Sequence, residues 1–143
     1  MNEPLARAYR AEILVRFAHC DPAGIVFYPR YLEMFNNLVE DWCRELRLPF
    51  AEVQSGRGQA LPTVHLDVDF VAPCTMGEVL AATLSVRALG DTSITLDIVL
   101  EGPDGADRVR GRVVLVLMDA ATKRAAAIPD DLRERISAFT VRS

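Results

Sequence analysis

Five stretches of the chain alternate apolar positions with the period of two that marks a half-buried strand. Tyr9, Ala11, Ile13, Val15 and Phe17 form the first apolar set. Val64, Leu66, Val68 and Phe70 form the second, and Leu80, Ala82, Leu84 and Val86 the third. Ile94, Leu96, Ile98 and Leu100 make the fourth; Val109, Gly111, Val113, Leu115 and Leu117 the fifth. The fifth stretch changes character midway. Arg108, Arg110 and Arg112 give way to Val114, Val116 and Met118, so its second half is apolar on both faces. That half is expected to lie centrally in a sheet or under another subunit.

Between the first and second stretches the period becomes helical. Tyr31, Met34, Phe35, Leu38, Val39, Trp42, Cys43 and Leu46 fall on one stripe. Pro29 suits a first helical turn, where a missing N–H costs nothing, and Pro49 marks the exit. The spacing predicts a helix over residues 30–47, about 18 residues and roughly 27 Å long. A short helix is expected after Pro129, with Leu132, Ile136 and Phe139 on one face. Ser55-Gly56-Arg57-Gly58, Gly90-Asp91 and Gly102-Pro103-Asp104-Gly105 carry turn chemistry, and the last two predict an antiparallel meander. The expected fold is α+β: a single domain over residues 1–143, with a five-stranded, mostly antiparallel sheet wrapped around one long helix.

Composition narrows the chemistry. The 143 residues are 50% hydrophobic and 25% charged, an ordinary globular mixture, and a net charge of −4 disfavours a general nucleic-acid binder. Residues 1–12 show no apolar signal segment, and the longest aliphatic run near the C-terminus, Val113–Met118, is far too short to span a bilayer. Three cysteines, Cys20, Cys43 and Cys74, form no CxxC and predict reduced thiols in a cytoplasmic protein. The two histidines, His19 and His65, form no metal-ligand spacing with Cys20, Asp21 or Asp67, so no metal site is expected. Phosphate-binding glycine loops and a GxSxG nucleophile elbow are absent from the sequence. His65 reads as a surface or interface strand histidine.

The segment from His19 to Tyr31 stands apart. It joins the first strand to the long helix. Asp21 precedes Pro22, which favours an extended or turn conformation, and Gly24 permits backbone geometry other residues resist. Ile25-Val26-Phe27-Tyr28 is unusually apolar for a surface loop. A carboxylate on a loop that ends at a helix N-terminus meets unpaired N–H groups and the positive end of the helix dipole. Such a place can polarise a carbonyl oxygen. Because Pro29 has no N–H, the Tyr28 N–H is the natural donor there. The same features are compatible with Asp21 capping a turn and Ile25–Tyr28 filling a subunit interface.

The Asp21-Pro-Ala-Gly-Ile-Val core, the Phe27-Tyr28 pair and the later Tyr31 resemble the active-site signature of the 4-hydroxybenzoyl-CoA thioesterase family. Leu61-Pro62-Thr63 before a strand ending at Phe70, Thr92-Ser93-Ile94 and Ile128-Pro129 follow that family's order of elements. The resemblance implies a hotdog fold, homodimers with shared active sites that often stack into homotetramers, and hydrolysis of an acyl-CoA thioester. Coenzyme A would enter as part of the substrate, and no cofactor is implied. Asp21 matches the family's catalytic carboxylate, acting as nucleophile or as general base for water. Tyr28 matches the position whose backbone N–H binds the thioester oxygen, and Gly24, Val26, Phe27, Asn36 and Thr63 match substrate-contact positions. Two departures stand out. The turn Leu89-Gly90-Asp91-Thr92 lacks the basic run that meets CoA phosphates in aromatic-substrate members, which leaves Arg87, Arg108, Arg110 and Arg112 as candidates. Asn36 falls where a 4-hydroxybenzoyl-specific member carries a carboxylate. A hotdog dehydratase and a non-catalytic acyl-CoA or acyl-carrier-binding protein are the alternatives; the helical stretch 30–47 contains no histidine for the first.

Overall fold

A computed structural model describes residues 7–48 and 58–140. The predicted helix exit at Pro49, most of the Ser55–Gly58 turn and the first six residues lie outside the described residues. The alternating stretches become β1 (Tyr9–Leu14), β3 (Thr63–Phe70), β4 (Val79–Leu89), β5 (Ser93–Glu101) and β6 (Asp107–Val116). They form a five-stranded antiparallel sheet in the order β1-β4-β5-β6-β3. The meander β4-β5-β6 is as the turn chemistry predicts, with Gly90 N–H donating to Ser93 O across the first hairpin. Along β5 burial alternates strictly, and Ile94, Leu96, Ile98 and Leu100 are all buried.

The first strand is shorter than its alternation. After Val15 the chain turns through a 3-10 segment, Phe17–His19, which leaves Phe17 81% exposed instead of on the sheet. The fifth stretch ends as a strand at Val116. Its continuation, β7 (Met118–Asp119), leaves the main sheet and pairs with β2 (Gln59–Ala60), a ribbon no alternation announces. β6 lies centrally, between β5 and β3, and Val114 and Val116 on its outer face are half-buried.

The helical stripe forms α1 (Pro29–Glu45), 17 residues, or about 26 Å at 1.5 Å per residue. Every residue of the predicted stripe, from Tyr31 to Leu46, is buried. α1 lies close on the sheet: a Cβ at Gly111 on β6 would collide with the Phe35 ring, so this strand position accepts the helix only as glycine. α2 (Asp130–Ser137) follows Pro129 and buries Leu132 and Ile136, and Phe139 just beyond it packs edge-on against Trp42, centroids 5.8 Å apart. Among the described residues no helix is long and apolar enough to cross a membrane.

Candidate functional site

The segment between β1 and α1 folds on itself before it reaches the helix. Asp21 N–H donates to Ile25 O at 3.0 Å and Gly24 N–H to Asp21 O at 2.9 Å, with Gly24 at φ +85, a region that favours glycine. The Ala23 N–H donates to Asp21 Oδ1 at 2.8 Å. The carboxylate therefore closes its own turn with one oxygen, while among the described residues Oδ2 has no hydrogen-bond partner. Cys20 bridges Val26, Phe27 N–H donates to His19 O, and the Arg16 N–H donates to His19 Nδ1 at 2.9 Å. Burial, then Arg16 and Arg30, holds the His19 imidazole below its usual pKa, in keeping with a ring nitrogen that accepts.

The loop is tied to the rest of the chain along one side. Val26 N–H donates to Cys74 O at 2.9 Å, Ile25 bridges Thr75, and Val15 exchanges hydrogen bonds with Glu78 and Gly77. The next residues enter α1. Tyr28 is its N-cap and Pro29 its first residue; Arg30 N–H donates to Phe27 O and Tyr31 N–H to Tyr28 O. Among the described residues the Tyr28 N–H has no acceptor. No acidic side chain sits in the first turn to offset the positive end of the helix. A free N–H, a free carboxylate oxygen and a helix N-terminus thus share one short, internally braced segment.

Rings surround it. Phe27 and Tyr28 meet edge-on at 5.6 Å, Tyr28 meets Phe70 at 6.1 Å, and Tyr31 meets Phe70 at 5.8 Å. Phe27, Tyr28 and Phe70 remain 46%, 58% and 51% exposed. Phe70 ends β3, a sheet-edge strand that also exposes Val64 and Leu66. Tyr31 is buried, and burial together with a hydrogen bond to Cys74 raises its hydroxyl pKa.

Of the residues singled out in the sequence, Asp21, Gly24, Val26, Phe27 and Tyr28 are held together, with Val26 buried and the others at least partly open. Asn36 is exposed on α1. Thr63 begins β3, seven residues from Phe70, about 23 Å of strand away at ~3.3 Å per residue; one chain does not bring it to the loop. His65 is exposed on β3, its Nε2 3.2 Å from Asp67. The four arginines diverge. Arg112 and Arg87 both reach Asp97, at 3.0 and 3.5 Å, and Arg110 reaches Asp107 at 2.7 Å, all on the open outer face of the sheet. Arg108 is only 12% exposed and faces Glu78. Glu78, Phe70 and Cys74 were not singled out by their spacing. Only the strand ending in Phe70 hinted at one of them, because their proximity comes from β6 crossing the residue 73–78 turn. Burial, with Glu40 adding to it, pushes the Cys43 thiol up to about 12, a packed and unreactive cysteine.

The sequence matches the profile of the Thioesterase-like superfamily over residues 15–136. It is 24% identical over 127 residues, 88% of this chain and 93% of the relative, to a 1,4-dihydroxy-2-naphthoyl-CoA hydrolase of Synechococcus elongatus. A protein of the same name from Synechocystis is 33% identical over 72 residues, which span 50% of this chain and 52% of that relative. Among solved structures, a gentisyl-coenzyme A thioesterase superposes with a TM-score of 0.80 at 25% identity, covering 90% of this chain and 99% of that one.

Proposed function

We propose that this chain, which belongs to the thioesterase-like superfamily, hydrolyses an aroyl-CoA thioester to the free acid and coenzyme A, with Asp21 and the Tyr28 backbone N–H as its reacting groups. That it is a thioester hydrolase follows from the family and from relatives named as hydrolases and thioesterases. The observation that carries the assignment of groups is the pairing on one braced turn of a free Asp21 oxygen with an unpartnered N–H at the start of α1.

The Tyr28 N–H donates to the thioester carbonyl oxygen, and the positive end of α1 stabilises the negative charge that develops there. Asp21 Oδ2 then serves by one of two routes. It attacks the carbonyl carbon, expels CoA thiolate and leaves a mixed anhydride for water to cleave. Alternatively it removes a proton from the water that attacks. A pre-steady-state burst of free CoA marks the first route.

The exposed rings of Phe27, Tyr28 and Phe70 favour a flat acyl group, which stacks or meets ring edges. Relatives named for dihydroxynaphthoyl and gentisyl thioesters agree with that class. Gly24 and Val26 shape the loop under the acyl group, and the Asn36 amide offers a hydrogen bond to a ring hydroxyl. A second copy completes the site. β3 is an unprotected edge with exposed apolar residues, a strand that invites pairing. Antiparallel pairing of two β3 strands brings the second copy's Thr63 toward Phe70. Such dimers stack further into a homotetramer in this reading. Arg87, Arg110 and Arg112 are exposed and exchange a carboxylate for CoA phosphate; Arg108 is largely buried and already bonded to Glu78 and Pro73 O. A cytoplasmic location suits a CoA substrate.

Thiol release measured over 1,4-dihydroxy-2-naphthoyl-CoA, gentisyl-CoA, 4-hydroxybenzoyl-CoA and short and long aliphatic acyl-CoAs tests this. The expected result is turnover with an aroyl preference. No release from any thioester overturns the assignment, and a clear aliphatic preference overturns the acyl class.

A further inference from the structure

Resting on the thioesterase assignment, we propose that Glu78 and Arg108 are positioning residues. Their ion pair fixes the residue 73–78 turn that holds the Asp21–Tyr28 segment, and so sets where the Tyr28 N–H points. Spacing with Arg110 and Arg112 makes Arg108 a candidate for CoA phosphate. Its surroundings assign it a different task.

The geometry is a clamp. Arg108 Nη1 donates to Glu78 Oε1 at 2.9 Å and to Pro73 O at 2.9 Å, and Nη2 donates to Glu78 Oε2 at 3.1 Å. Glu78 Oε1 also accepts the Thr75 N–H at 2.8 Å. One side chain from β6 therefore grips both ends of the turn. The gripped residues are those to which the loop is bonded. Among the described residues, the backbone bonds and bridges that residues 15–27 make outside themselves and α1 all end on residues 74–78: Val26 N–H to Cys74 O, the Ile25–Thr75 bridge, Val15 N–H to Glu78 O and Gly77 N–H to Val15 O. Cys74 also stands beside Tyr31, in the first turns of α1, and with burial raises the pKa of its hydroxyl.

Two further facts separate this pair from its neighbours on the strand. Arg108 and Glu78 side chains are 12% and 24% exposed, so their charge-assisted bonds are partly shielded from water, whereas Arg112 is 45% exposed. The guanidinium also occupies a space kept clear for it: a Cβ on Gly102 would collide with it. The pair is neutral as a unit and touches no reacting atom, so it acts through geometry. Catalytic geometry is held within about 0.5 Å by such supporting groups, and a displacement near 1 Å costs about a hundredfold in rate.

The experiment measures kcat and KM of Arg108→Met, Arg108→Lys, Glu78→Gln and Gly102→Ala on the best thioester of the panel, with thermal melts and amide exchange of a peptide covering residues 20–28. Arg108→Met is expected to lower kcat about tenfold to a hundredfold with KM little changed. Arg108→Lys restores part of the rate, and Gly102→Ala lowers kcat in the wild-type background but not beside Arg108→Met, because both act through one group. A raised KM with unchanged kcat in Arg108→Met overturns the proposal and returns the residue to phosphate binding. If Arg108→Met does not fold, unchanged kcat in both Glu78→Gln and Gly102→Ala overturns it. If the wild-type chain releases no thiol from any thioester, the thioesterase assignment fails separately and exchange alone decides. Faster exchange in residues 20–28 of a folded variant, with β5 unchanged, supports the clamp, and unchanged exchange refutes it.

Discussion

The two ends of α1 are both aromatic and meet opposite fates. At the C-terminal end Trp42 and Phe139 are 0% and 3% exposed and packed edge-on, with Val86 N–H bonded to Phe139 O to lock the C-terminal segment onto β4. At the N-terminal end Phe27, Tyr28 and Phe70 keep about half their surface in solvent although they also form edge contacts. Ring chemistry is the same; what differs is the cover. α2 and the sheet close over one end, while none of the described residues closes over the other. Stability is concentrated where the rings are covered, and the capacity to bind is kept where they are not.

The largest effect is expected at the open end. Asp21→Asn keeps the size of the side chain and a carbonyl oxygen for the Ala23 N–H, so the melting temperature is expected to stay near that of the wild type. Thiol release should fall about 10²- to 10⁴-fold, the usual share of a positioned acid or base; undiminished turnover would remove Asp21 from the mechanism. At the covered end the signs reverse. Trp42→Ala leaves a large cavity in the core and should cost about 3–5 kcal/mol in chemical denaturation. Its folded fraction should turn over substrate as the wild type does, and a kcat loss larger than the unfolded fraction explains would mean that the two ends are coupled.

Glu78 sits behind the open end, bonded to Arg108 and to the Thr75 N–H. Hydrogen bonds from Arg108 and then from the Thr75 N–H hold it down to about 2, below the ordinary 4.5. A lowered carboxyl stabilises the fold while ionised, so its contribution is complete above pH 4.5 and is lost as pH falls toward 2. Thermal melts at steps across that window should show the advantage of wild type over Glu78→Gln shrinking as the pH falls; a constant gap contradicts the clamp electrostatics. The smallest effect is expected at Arg112, four residues beyond Arg108 on β6. Arg112→Ala breaks an exposed pair with Asp97 and should cost no more than about 1 kcal/mol in denaturant melts. A larger loss would erase the distinction between the outer-face pairs and the clamp.

The elements were largely legible because each obeys a local rule. A period of two placed the five strands of the main sheet, and the stripe from Tyr31 to Leu46 is buried throughout. The loop was legible for a similar reason: Asp21 before Pro22, Gly24 at positive φ and Pro29 at the helix start are local constraints. Where alternation overreached, a local rule lost to a tertiary one. Phe17 continues the β1 pattern, yet the chain turns away after Val15 because Val15 is bonded to the residue 77–78 turn. Met118 continues β6 by pattern, yet it leaves to pair with Ala60.

The arginines mark the boundary between the two kinds of knowledge. Spacing alone determined that Arg108, Arg110 and Arg112 share a strand face, since side chains on a strand repeat every second residue. It also determined the apolar core, the helix and the turn that presents Asp21. Only the tertiary structure decided that Arg108 is shut in against Glu78 and Pro73 O while Arg110 and Arg112 stay in solvent. It alone showed that Thr63 and the loop stand at opposite ends of β3 within one chain. The physical reason is that periodicity reports which way a side chain leaves its own backbone. What it meets there depends on segments far away in the chain, such as the residue 73–78 turn, whose own sequence carries no sign of that meeting.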